Sequence, residues 1–212
     1  MVDLTNLSTP YPRFRFRPEK AAEAIDLIAR AQPGITQYFV GKILYLADKE
    51  HFLDWGRPIA YDRYVAMVHG PVPSAVRNML AAAAGANVGM DDDRLSTAQE
   101  HAQELMKRVR VELEVRVNGD RQRVYSISGT SEMRHLSGSD IEALQSAIAE
   151  SGQKSFKSLR SETHKDEAWQ EAWYTRSGGR VADIDISLWV DETERTSLRA
   201  QLRDYGAYQH FS

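Results

Sequence analysis

Residues 42–74 read KILYLADKEHFLDWGRPIAYDRYVAMVHGPVPS, and three changes of pattern within and just before this stretch decide the fold. Around its start, Phe39, Ile43, Leu46 and Ala47 recur at helical spacing, which predicts a helix over about 37–51. Thr36 suits the N-cap, with Ile35 and Val40 placed as a hydrophobic staple, and Lys42, Lys49 and Glu50 turned toward water or a partner. Gly56-Arg57-Pro58 then reverses the chain. The segment Tyr64 to Val68 is short, apolar and β-prone, so it reads as a strand. Pro71 and Pro73 fix an extended corner, and Ser74 is expected to cap a helix with Val76, Met79, Leu80, Ala83 and Ala84 as its apolar stripe. Helix, strand and helix in so short a span make an α+β chain.

Working outward, residues 10–18, PYPRFRFRP, alternate aromatic and basic residues between prolines, which suits an extended arm. A helix follows over 19–31, its stripe made by Ala21, Ala24, Ile25 and Ile28, and Pro33-Gly34 stops it. Gly85 to Arg94, with Asp91-Asp92-Asp93, reads as a loop, and Ser96 with Gln99 as the capping box of a helix over 97–108. From Val109 the period becomes two, with Val109, Val111, Leu113, Val115 and Val117 on one face. Asn118-Gly119 then predicts a two-residue hairpin turn within 109–128, placing Leu113 opposite Val124 and Glu114 opposite Arg123. All seven prolines lie at or before Pro73, leaving the rear free for helices near 139–150, 155–162, 164–176 and 192–205. The expected fold is α+β and predominantly α-helical, with a small antiparallel sheet that includes the hairpin. Its expected organisation is an arm at 1–18, a globular domain at 19–178 and a packed C-terminal extension at 179–212.

The chain has 212 residues, 42% hydrophobic and 27% charged, which suits one folded domain with elaborations. No run approaches the roughly 20 apolar residues that span a bilayer, and MVDLTNLSTP is unlike an export leader. Cysteine is absent, which removes disulfides, thiol nucleophiles and cysteine-ligated zinc and suits a reducing cytoplasm. A net charge of -3 argues against dominant nonspecific phosphate binding.

None of the six histidines forms an HExxH pattern or a helical pair, and GxSxG, GxxxxGK[ST] and GxGxxG are missing. The expectation is a non-enzyme without cofactor or metal. His69 and His164 stand out because each sits beside a helix start that shifts proton affinity, and an enzyme reading would pair one of them with Asp62 or Asp166. Asp91-Asp92-Asp93 lacks the spaced ligands of a calcium loop and reads as solvated. The arm residues Arg13, Phe14, Arg15, Phe16 and Arg17 are candidates for binding a protein partner, with a strap on the chain's own domain and a nucleic-acid contact as alternatives. Trp169 and Trp173, four apart on one helical face, are expected to fill core.

The K-x-L-Y-x-A-D helix, the G-R-P-I turn, the Y-V-A-M strand and the H-G-P-V-P corner, with SFKSLRSETHKDEAWQEAW at 155–173, resemble the SocA-like antitoxins that carry the Panacea domain. The motif falls here on Lys42, Tyr45, Asp48, Gly56, Pro58, Tyr64, His69, Gly70, Pro71 and Pro73, with Thr163, His164 and Trp169 in the rear. These positions read as scaffold, Thr163 capping a helix with Asp166 as its capping-box acid. The resemblance implies an antitoxin that neutralises a co-expressed protein toxin by direct contact. It further implies toxins of unrelated kinds, translation inhibitors and alarmone synthetases among them, and in some relatives an adaptor role toward a protease. The alternative is a DNA-binding regulator, autoregulating its operon, in which the hairpin is a wing and Arg110, Arg116, Arg121 and Arg123 meet phosphates.

Overall fold

The computed structural model describes residues 14–86, 90–117, 119–129 and 132–209, with side chains described as far as residue 200. The chain runs α1 (Pro18–Ala31), β1 (Ile35–Thr36), α2 (Gln37–Trp55), β2 (Tyr64–Met67), β3 (Gly70–Pro73), α3 (Ser74–Ala83), α4 (Asp92–Met106), β4 (Val109–Glu114) and β5 (Arg121–Ser126). It continues through α5 (Gly138–Ser151), α6 (Phe156–Thr163), α7 (Glu167–Thr175), β6 (Ala182–Asp183), a 3-10 turn at Ile186–Trp189 and α8 (Glu192–Gln209). The expected α+β, mostly helical fold is what the chain adopts.

Helix α2 is the axis of the molecule, because it is apolar on two sides. One side, with Val40, Ile43, Leu44 and Ala47, joins a core built with α1, α3, α4 and α5. The other, with Tyr45 and Phe52, joins an aromatic core that includes Tyr64, Trp169, Ile184 and Trp189. A helix buried between two cores has little solvent face to offer, so Lys42, expected to point outward, is only 1% exposed. Glu50 does face water.

Each core has its own three-stranded antiparallel sheet. One orders β1-β5-β4 and the other β3-β2-β6. In the first, the short strand β1 pairs Ile35 with Val124, so one of the two residues read as a staple, with the N-cap Thr36, also forms a strand. The β4–β5 register sets Val111 opposite Val124 and Leu113 opposite Gln122. This lies two residues from the expected pairing because the connection spans 115–120 rather than two residues. A shift of two keeps every side chain on its face. The Glu114–Arg123 ion pair therefore forms diagonally, at 2.6 Å. Only the first part of the expected apolar face reaches core, since Val115 is 77% and Val117 103% exposed.

The acidic loop is also corrected: Asp91 is the N-cap of α4, its carboxylate accepting from the Arg94 N–H at 2.9 Å, and Asp92 and Asp93 fill the first turn. Carboxylates are favoured at that end of the helix dipole, so the helix starts five residues before the expected Ser96 box. At the proline corner, Pro71 and Pro73 lie within strand β3, Ala66 opposite Pro71 and Tyr64 opposite Pro73. Proline is tolerated on this edge strand because its missing N–H faces away from the ladder. Pro73 rather than Ser74 holds the N-cap position of α3, and the buried carboxylate of Asp62 accepts from the N–H groups of Ala75 and Val76 at 2.9 and 2.8 Å.

Residues at the start of the expected C-terminal extension are woven into the body: Ala182–Asp183 add β6 beside β2, and Trp189 enters the aromatic core. At the other end, Arg17 donates its N–H to the Ala60 carbonyl at 3.0 Å.

Candidate functional site

The motif residues spread over the sequence converge where α2, the β2–β3 hairpin, α6 and α7 meet. Most are held by buried hydrogen bonds. The Asp48 carboxylate accepts from the Ile59 N–H at 2.7 Å and the Tyr64 hydroxyl at 2.8 Å, which ties the segment around Pro58 to α2. Complete burial nonetheless pushes its pKa up to about 6. Tyr45 donates to Asp166 at 2.7 Å and accepts from the Trp189 indole N–H at 3.1 Å, and Lys49 pairs with the same Asp166 at 2.6 Å. Asp166 is also the N-cap of α7. Thr163, expected to cap this helix, instead ends α6 and turns its hydroxyl back to the Leu159 carbonyl at 3.0 Å. Trp169 is 1% exposed and donates its indole N–H to the Met67 carbonyl at 3.2 Å. Gly56 ends α2 in the left-handed region, at φ 68°.

Lys42 differs from this scaffold. Its Nζ donates to the Pro71 carbonyl at 2.5 Å and lies 5.2 Å from the centroid of the Tyr38 ring. Among the described residues it has no carboxylate partner. Burial alone lowers its pKa to about 7. Gly70 makes the room, at φ +102°, where a Cβ would lie 2.7 Å from Nζ and 2.9 Å from the Thr163 hydroxyl. Glycine at 70 is thus required both by backbone conformation and by space.

Other polar groups surround it. Arg160 of α6 reaches the Val68 carbonyl only at 3.4 Å, while its Nε, the Tyr38 hydroxyl and His164 Nε2 are buried without a hydrogen-bond partner among the described residues. Desolvation, with Arg160, Lys42 and His69 adding positive charge, holds His164 down at about 4, and its ring stacks on Trp169 at 3.9 Å. His69 is lowered by desolvation first and then by Arg160 and Lys42. Its ring stands 5.6 Å from Phe156, which in turn lies 4.5 Å from Tyr38. Beside Lys42 a cavity of about 160 Å³ is walled by α2, β3 and the start of α3, chiefly through apolar side chains such as Val72, Val76 and Leu80, and no carboxylate lines it. Val68, 50% exposed, and Phe156, 45% exposed, stand at this corner.

The other candidates lie elsewhere. The Phe14 ring packs on Tyr61 at 5.5 Å and Phe16 on His101 at 5.1 Å, so the described part of the arm rests on its own domain. Arg15 and Arg17 are exposed, and Arg13 lies outside the described residues. On the hairpin, Arg110 pairs with Glu112 at 3.1 Å, and Arg116 and Arg123 pair with Glu114 at 3.8 and 2.6 Å. Asp62 and Asp166 are engaged as described, and no hydrogen bond joins either to His69 or His164. Among the described residues, no three His, Asp or Glu side chains gather as a metal site would need, and no helix is long and apolar enough to cross a membrane.

A family comparison agrees with this placement: the model of the antitoxin SocA-like, Panacea domain matches residues 40–170, more than half of the chain. The chain belongs to the SocA-like antitoxin family. Its Panacea domain therefore takes in α2 through the start of α7, with the Lys42 corner inside it. No curated protein and no solved structure matches this antitoxin.

Sequence reading missed Arg160, Tyr38 and Phe156 as members of the corner, and took Lys42 as a surface residue. One signal pointed to Lys42: it sits one turn before Tyr45 and Leu46, on a helix with apolar residues all round. Nothing local marks Arg160, which arrives from 118 residues away along the chain.

Proposed function

We propose that this protein is a cytoplasmic, non-catalytic antitoxin that neutralises a co-expressed protein toxin by binding it directly, through the face where Lys42, Arg160, Val68 and Phe156 meet. Family membership supplies the class of activity. The observation that carries the choice of face is the coincidence of buried donors lacking acceptors with exposed apolar side chains. Such a centre, apolar with a few unsatisfied polar groups, is what the core of a specific interface looks like before its partner arrives. Neutralisation then works by occlusion: a standard interface of roughly 1,600 Å² covers an active region without any turnover.

The test is co-expression with the product of the neighbouring gene, read by growth and by affinity purification. Rescue of growth with a stoichiometric complex is expected, and Phe156→Asp should weaken that complex strongly while leaving the fold intact. Full toxicity with no complex would defeat the proposal, and a complex unaffected by Phe156→Asp and Val68→Asp would move the interface to another face.

A further inference from the structure

The corner contains more donors than acceptors, and the excess has a direction. Lys42 has one acceptor for three N–H groups, Arg160 Nε and the Tyr38 hydroxyl have none, and His69 stands beside them. Acids on and beside α6 are committed elsewhere, Glu162 to Lys154 at 2.8 Å and Asp166 to Lys49 at 2.6 Å. A buried ammonium, with a half-buried guanidinium beside it whose Nε is out of solvent, is costly until an anion meets it. The volume beside Lys42, about 160 Å³, suits a single amino-acid side chain, and its walls are mostly apolar, with Arg77 as a further cation in the lining.

We infer that this corner is a carboxylate-binding site, in which Lys42, Arg160 and Tyr38 receive an Asp or Glu side chain of the protein partner while an adjoining apolar side chain of that partner enters the cavity between α2, β3 and α3. The partner in this statement is the toxin of the preceding proposal, on which it rests. Charge complementarity selects an acid, and the arrangement favours a protein over a nucleic acid. A phosphate backbone is tracked by an open basic stripe, whereas here Lys42 stands in the wall of a mostly apolar cavity, and the hairpin's Arg110, Arg116 and Arg123 are already paired with Glu112 and Glu114. Arg160 supplies the planar fork that suits a carboxylate, and Lys42 a point charge beside it.

Two measurements on the full chain test this. In the first, imidazole resonances of His69 and His164 are followed by NMR at pH 6.5 during titration with sodium butyrate, a carboxylate on an apolar stem, and separately with inorganic phosphate. Butyrate should shift both histidines saturably, and Lys42→Met or Arg160→Gln should abolish the response. The absence of a saturable butyrate shift, an unchanged response in both variants, or saturation by phosphate alone would each overturn the carboxylate assignment. In the second, the variants are compared for toxin binding, where loss of a charge-assisted hydrogen bond should weaken the complex about tenfold or more. Arg160→Gln keeps this readable if Lys42→Met folds poorly. A wild-type complex that the variants form equally well overturns the inference and leaves the antitoxin reading standing. Failure of the wild-type protein to bind any toxin defeats that reading and the partner assignment with it, while the butyrate response still decides the chemistry of the corner. Loss of self-association in the variants would make the occupant a second copy of this chain and would also overturn the assignment.

Discussion

Two regions on either side of α2 treat buried charge in opposite ways. Between α1, α2 and α5 the buried acids Glu23 and Asp140 face cations. Glu23, fully buried, accepts from the backbone N–H groups of Arg134, His135 and Leu136 at 2.9 to 3.0 Å and pairs with Arg108 at 2.8 Å. Asp140 closes a capping box with Ser137 and pairs with Lys20 at 2.7 Å and Arg57 at 2.9 Å, beside the buried His51. At the Lys42 corner the charges are cationic and no acid among the described residues answers them. The first region holds the fold together, and the second has kept its bonding capacity for something outside the chain. Networks of the first kind are expensive to break, whereas an unanswered buried cation costs stability as it stands.

Glu23→Ala is the substitution that should break the comparison most severely. It leaves Arg108 with only the Asp26 carboxylate at 3.7 Å and the Glu132 carbonyl at 3.3 Å and strands three backbone donors in the loop that leads into α5, for an expected loss of about 3–5 kcal/mol in urea unfolding. A loss below about 1 kcal/mol would mean that water replaces the carboxylate and that the first region is less closed than its geometry indicates.

Lys42→Met should act in the other direction and by less, stabilising the isolated protein by about 1–3 kcal/mol near pH 6, since an apolar side chain of similar length removes a buried charge without a counter-ion. The sign with pH follows from linkage. Lys42 is lowered to about 7 in the folded state from its ordinary 10.5, so between those values the unfolded chain binds the proton better and wild-type stability rises with pH. The advantage of the methionine variant is therefore greatest below about pH 7 and shrinks as pH climbs toward 10. A stabilisation that did not vary with pH would show that packing, rather than charge, separates the two proteins.

How much of this was legible in the sequence follows from the same contrast. The helices, the strand at 64–67 and the hairpin were readable because apolar period and turn residues are local signals. Even the register error kept each hairpin residue on its proper face, as Val124 shows by pairing with Val111 in place of Leu113. The resemblance located the corner's motif residues but could not say which were bonded to what. Asp62 capping α3 from twelve residues upstream, Thr163 ending one helix rather than starting the next, and Arg160 approaching Lys42 all depend on how distant segments pack, and local spacing carries no trace of them. Lys42 was misplaced for a related reason: a lysine on a helix reads as solvent-facing unless the helix is known to be buried on both sides.

Asp62 offers a smaller test of whether backbone donors alone can hold a buried acid. Its carboxyl is raised by burial to about 7, against the lowering effect of the Val76, Ala75 and Arg63 N–H groups. A raised carboxyl contributes stability that is present in full below its unfolded value of about 3.8 and is lost as pH rises through about 7. The neutral isostere Asp62→Asn lacks that dependence, so its stability relative to wild type should improve by on the order of 1 kcal/mol between pH 4 and 8. A difference that is flat with pH would show that the two N–H bonds from α3 fully offset burial.

The smallest effect is expected at Arg195, whose Nη2 donates to both carboxylate oxygens of Glu167 at 3.0 and 3.1 Å and joins α8 to α7 at the surface. Glu167 is 63% exposed there, so solvent and salt screen the pair, and Arg195→Ala should cost about 0.5 kcal/mol or less, falling further in 0.5 M NaCl. This pair has better geometry than anything at the Lys42 corner, which is what makes it a useful control. If burial rather than bond geometry determines the energetic weight of a charge in this fold, the well-formed surface pair must count for less than the poorly satisfied lysine. A cost at Arg195 equal to or above the effect at Lys42 would reverse that ordering, and the corner would then be distinguished by its chemistry alone, not by any stability held back for a partner.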